Sequence, residues 1–139
     1  VWREEFYSEV DRLFGAASHG QFEPNADVYI DETARRMVVH VELAGADSEG
    51  LSVAVDDRFL YISGRRVERN DARTCSMLQK EIQYGEFSKR IRLPMPVLED
   101  GATATYRDGI LTIVLPLAAR ERFPVVRTEI RMTITRTLA

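Results

Sequence analysis

A single cysteine, Cys75, stands among the 139 residues. That excludes an intramolecular disulfide framework and suits a reducing compartment. No run of about 18 apolar residues exists, so no membrane-spanning helix is expected. Nor is there a basic n-region followed by an apolar stretch, so no secretory signal is legible. The chain begins at Val1 and not Met, which leaves a longer native start open, and cytoplasm is the expected compartment. No glycine-rich phosphate cradle appears, and none of the spacings of a metal site links His19 and His40 to Cys75. A one-sided charge is missing too: net charge is −3 and pI about 5.5. Neither nucleic acid nor an anionic membrane is a favoured partner.

What remains is an ordinary globular composition, 45% apolar and 29% charged, sufficient for one domain with extensions. The charge is unevenly placed. Residues 1–22 carry −2, residues 116–139 carry +3, and the middle holds −4. The two ends are opposite in sign and could meet each other or each other's neighbours.

Trp2, Phe6, Val10, Leu13 and Phe14 recur at helical spacing and predict an amphipathic helix over residues 1–14. It either packs on its own domain or stands as an exposed apolar arm. From Asn25 the period falls to two. Val28 and Ile30, then Met37 to Leu43, then Leu51, Val53 and Val55 read as strands, and Phe59 to Gly64 returns as a hairpin. Asp56 and Asp57 are adjacent carboxylates that initiate this turn; they are not read as a proton-sharing pair. Arg65 to Arg73 is too polar for a sandwich interior and predicts a projecting loop, with some strand character at Thr74 to Leu78. Glu81 to Leu93 reads as one long strand whose phase changes at Gly85, where a bulge is expected. Ala102 to Tyr106 and Ile110 to Leu115, joined by Asp108-Gly109, make a closing hairpin. Six to eight such strands predict an all-β, immunoglobulin-like antiparallel β-sandwich with a helical N-terminal arm and an extended C-terminal tail.

Past Pro116 the chain carries isolated aliphatics at Ile130, Met132 and Ile134 among five arginines. Pro124 opposes helix, and the arginines keep the tail solvated. Side chains at i and i+2 of an extended segment face the same way, so Ile130 and Met132, or Met132 and Ile134, could enter adjoining pockets together. Such a tail is expected to act by strand addition. Other signals are bland. His40 sits between Val39 and Val41, which face away from it. Lys89, Arg90 and Arg92 alternate along a strand near Glu86, as on a surface face, and Cys75 reads as structural. No convergent acid, base or nucleophile set is present, so an enzyme is not expected.

Ala104-x-x-x-Asp108-Gly109-Ile110-Leu111 followed by Pro116 resembles the signature hairpin of the α-crystallin domain of small heat shock proteins. Gly85-Glu-Phe-Ser-Lys-Arg-Ile-Arg-Leu-Pro94 is similar to that family's Gly-x-Phe-x-Arg-x-aromatic-x-Leu-Pro strand. Pro24-x-x-Asp27-Val-Tyr-Ile-Asp31, Leu43-Ala-Gly45 and Leu60-x-Ile-x-Gly64-x-Arg66 match the opening of the domain. Lys89 replaces the usual Arg, and the tail lacks a clean Ile-x-Ile.

The resemblance implies three regions: an arm over 1–23, an α-crystallin domain over 24–116 and a tail over 117–139. It implies a bacterial-type dimer in which Arg73, Thr74, Cys75, Ser76, Met77 and Leu78 cross onto the partner's Asp27, Val28, Tyr29 and Ile30. It implies that a tail anchor docks on another subunit, in a groove of Leu51, Val53, Val55, Ala102 and Ala104. The implied function is that of an ATP-independent holdase without cofactors, binding itself and partly unfolded clients, the latter through Trp2, Phe6, Val10, Leu13 and Phe14. The alternative is a CS-domain adaptor for one folded partner, which would lack the long loop and the anchored tail.

Overall fold

Period-two alternation becomes a buried face along Met37-Val-Val-His-Val41: Met37, Val39 and Val41 are fully buried while His40 is not. The computed structural model describes residues 22–68, 74–118, 130–131 and 134–136. Nine strands are seen among them: β1 (Ala26–Asp31), β2 (Arg36–Glu42), β3 (Ser52–Val55), β4 (Phe59–Arg66), β5 (Gly85–Arg92), β6 (Thr103–Arg107), β7 (Ile110–Pro116), β8 (Ile130–Arg131) and β9 (Ile134–Arg136). They form a five-stranded sheet, β1-β2-β7-β6-β9, and a four-stranded one, β5-β4-β3-β8.

Inward residues of the two sheets meet in one core. Val39, Val41, Leu111, Ile113 and Leu115 come from the larger sheet, and Val53, Val55, Leu60, Ile62 and Phe87 from the smaller. Burying aliphatic and aromatic side chains at about 25 cal/mol per Å² is the main source of cohesion. The turns behave as their residues dictate. Asp108 and Gly109 have φ of 54° and 78°, the paired left-handed conformation of a two-residue hairpin. Asp56 accepts from the Arg58 and Phe59 amides at 2.8 and 2.7 Å and from the Tyr61 hydroxyl at 3.0 Å. A buried carboxylate is thereby satisfied, and the β3–β4 turn is set.

Two expectations are corrected here. Glu81 to Leu93 is not one strand: β5 begins at Gly85, whose φ of 105° breaks the extended run. The residues before it stay outside the sheet, so Ile82 is 61% exposed. The phase change therefore marks a strand start and not a bulge. The sandwich is also not wholly antiparallel, because β9 pairs in parallel with β6. Among the described residues the sole helical segment is a 3-10 turn at Ser48–Gly50. The arm predicted over 1–14 lies outside the described residues.

Candidate assembly surfaces

The margin between β3 and β6 is occupied by the chain's own tail. β8 pairs antiparallel with β3, Val55 opposite Ile130, and β9 pairs with β6, Ala104 opposite Ile134. Ile134 is only 6% exposed and belongs to the inter-sheet core. Leu51, Val53, Val55 and Ala104 are buried there as well, and Ala102 packs against them. In this lone chain the tail meets the expected docking strands, β3 and β6, on its own body. The spacing differs too. The two paired segments sit four residues apart and join different sheets, in place of an i, i+2 pair in adjoining pockets; Met132 lies outside the described residues.

Among the described residues β1, at the opposite margin of the larger sheet, pairs with β2 alone, and Val28 and Tyr29 on it are exposed. The Tyr29 hydroxyl lies 3.5 Å from His40 Nε2, with the two rings edge to face. At the end of β1 the Ala34 amide donates to Asp31 Oδ1 at 3.0 Å. That bond chiefly holds the Asp31 carboxyl below its ordinary value of 3.8; desolvation opposes it, and Arg36, its Nε 3.4 Å from Oδ2, adds to the lowering.

The proposed exchange segment carries no strand in this lone chain. Residues 74–78 are exposed, Leu78 at 97%, and Arg73 lies outside the described residues. Cys75 is an exposed free thiol in this lone chain. Glu68 pairs with Lys80 at 2.8 Å within the loop. Lys89 meets Glu23 at 3.4 Å and the Arg90 guanidinium lies 4.6 Å over the Phe59 ring, in keeping with a surface face.

Sequence reasoning missed the junction at the loop's root. Arg66 Nε donates to the Gln83 carbonyl at 2.8 Å and Nη1 to the Ala44 carbonyl at 3.2 Å. Its guanidinium also covers the Phe22 ring at 4.4 Å. One side chain thereby ties the loop, the Leu43–Gly45 turn and the chain's entry into the domain. The Gly64-x-Arg66 motif contained the signal, while Phe22, a lone aromatic in a polar stretch, gave none. The proposed client residues Trp2, Phe6, Val10, Leu13 and Phe14 all lie outside the described residues. Among the described residues no three His, Cys, Asp or Glu side chains gather as a metal site. No described helix is long and apolar enough to cross a membrane.

The described residues thus form a two-sheet sandwich in which β8 and β9 of the tail pair with β3 and β6, while β1 pairs with β2. The chain belongs to the Hsp20/alpha crystallin family, which it matches over residues 29–135. That is a family of chaperones, not enzymes. The chain is 32% identical over 93 residues to Small heat shock protein C4 of Rickettsia felis, covering 67% of this chain and 56% of that one. It is 33% identical over 104 residues to a 17.6 kDa class I heat shock protein of Helianthus annuus, covering 74% and 68%. The match thus spans little more than half of the Rickettsia protein's length. Among solved structures, heat shock protein 16.0 from Schizosaccharomyces pombe superposes with a TM-score of 0.64 at 28% identity, covering 74% of this chain and 94% of that one.

Proposed function

We propose that this chain is an ATP-independent holdase of the cytoplasm, built as a dimer and then a larger homo-oligomer, that captures partly unfolded proteins before they aggregate. Its parts are an arm over 1–23, a sandwich over 24–116 and a tail over 117–139. The observation that supports this most is that, among the described residues, β1 has no strand on its outer side, while the exposed Met77 and Leu78 lie in a segment that pairs with no strand. An open edge of unmet N–H and C=O groups is an aggregation hazard unless another chain covers it. Exchange of the 73–78 segment onto Asp27–Ile30 of a second copy would satisfy both.

The tail supplies the second contact. Burying two aliphatic anchors contributes roughly 3–5 kcal/mol by area. Ordering the tail costs about 1–2 kcal/mol per residue fixed. A single docking is therefore weak, and the same contacts made on a sister subunit bind by virtue of their number. When a tail leaves, Leu51, Val53 and Val55 lose their cover and join Trp2, Phe6, Val10, Leu13 and Phe14 as apolar surface for clients. The decisive experiment measures mass by light scattering together with suppression of a heated client's turbidity in the absence of nucleotide. Suppression at near-equal amounts by an oligomer is expected. No suppression, or a requirement for ATP, would overturn this reading.

A further inference from the structure

We infer that the cleft between the two limbs of the 67–84 loop is the resting seat of the N-terminal arm of the same chain. Residues 65–68, leaving β4, and 80–85, entering β5, enclose an open cleft of about 770 Å³. Its apolar lining is Val67, Ile82 and Tyr84. Val67 and Ile82 are 53% and 61% exposed, an apolar pair at the surface of a polar loop. A cleft of this kind is suited to aromatic side chains, each of which buries about 150–250 Å².

The chain's own entry point lies at its rim. The Phe22 ring rests under the Arg66 guanidinium and 5.3 Å from the Phe87 ring. Phe22 also bridges Phe87 in parallel, and Glu23 beyond it reaches Lys89. Phe87 is two residues from Gly85, which lines the cleft, so Phe22 stands beside the cleft's mouth. Phe14 is eight residues upstream, a reach of about 27 Å at roughly 3.4 Å per residue. The seat is within that reach.

Charge selects the same occupant. Lys80 and Glu68 cancel each other at 2.8 Å. Of the other charged lining residues, Arg65 and Arg66 stand against Glu81, which leaves one net positive charge; Arg66 gives its donors to the neutral carbonyls of Gln83 and Ala44. Residues 1–22 are −2 overall, and Trp2, Phe6, Val10, Leu13 and Phe14 recur in the sequence at helical spacing. An acidic, aromatic segment tethered at the rim competes for the cleft at an effective concentration on the order of millimolar. That favours the chain's own arm over a sister's. Seated, the arm hides its apolar stripe; displaced, it exposes all of it at once. The seat is a claim about where the arm rests, and it stands whether or not the arm captures clients.

Cysteine pairing in the full chain tests it. Cys75→Ser removes the only thiol, and Phe14→Cys is then combined with Ile82→Cys or, as a control, with Thr103→Cys on the other sheet. Mild oxidation is expected to link the first pair within one chain, at monomer mass on a denaturing gel, with a yield about tenfold or more above the control. Equal yields at both positions, or linkage at dimer mass, would overturn the seat. A second variant, Ile82→Asp in the otherwise unaltered chain, reads the lone Trp2. A red-shifted emission with greater quencher access and an unchanged circular dichroism spectrum is expected, and an unchanged emission counts against the seat. Turbidity suppression by the same proteins reports separately on holdase action, so the two readings fail independently.

Discussion

A Cβ built on Gly64 would stand 2.5 Å from Cζ of Phe87 and 3.1 Å from Cδ2 of Leu51. Gly64 and Phe87 face each other across β4 and β5, and the Phe87 ring is fully buried. The glycine is there because the ring needs its space. Gly64→Ala is therefore expected to overpack the core and cost about 1–3 kcal/mol. Thermal unfolding by circular dichroism should show Tm falling by several degrees; an unchanged Tm would mean that Phe87 has room to move.

Ile134, in the tail, belongs to the inter-sheet core. Replacing both Ile130 and Ile134 by Ala should free the tail and reduce the oligomer to dimers, since a buried Ile→Ala truncation costs about 2–5 kcal/mol. Light scattering checks the mass, and circular dichroism checks that the body stays folded. An undiminished assembly would take the tail out of the oligomer contacts.

Deletion of residues 69–77 removes most of the proposed exchange segment while sparing the Arg66–Gln83 bond at the loop's root. Sedimentation should then show monomers. Dimers that survive would place the dimer contact elsewhere on the sandwich.

Asp31 carries the pH prediction. Its carboxyl lies below 3.8, chiefly because of the Ala34 amide. A depressed carboxylate stabilises the fold at pH above its unfolded value, and the benefit is lost as pH falls through the lower folded one. Amide exchange at Ala34 should therefore quicken as pH drops below about 3.8, after correction for intrinsic exchange. Asp31→Asn should remove that pH step, and a step that persists would assign it to another group.

Much of the sandwich was legible because its strands are half-buried and keep strict alternation. Met37 to Leu43 and Ile110 to Leu115 bury the predicted face, and Asp108-Gly109 makes the predicted turn. Legibility failed where backbone conformation or chain direction decides the outcome. Gly85 looked like an interruption within a strand, but its positive φ makes it the start of one. The tail's anchors were recognised as apolar, yet nothing in alternation reveals that Ile134 joins a sheet different from the one Ile130 joins. Arg66 was visible as a charge, whereas its carbonyl partners are set by tertiary proximity alone.

The short terminal segment from Ile130 to Arg136 runs against β3 and then alongside β6, one on each layer. Its departure would uncover both layers in a single event, at the seam where the sandwich interior is nearest to solvent. Warming that loosens these few ladder bonds would thus convert a sealed body into one displaying its lining, before any of the seven preceding strands has melted.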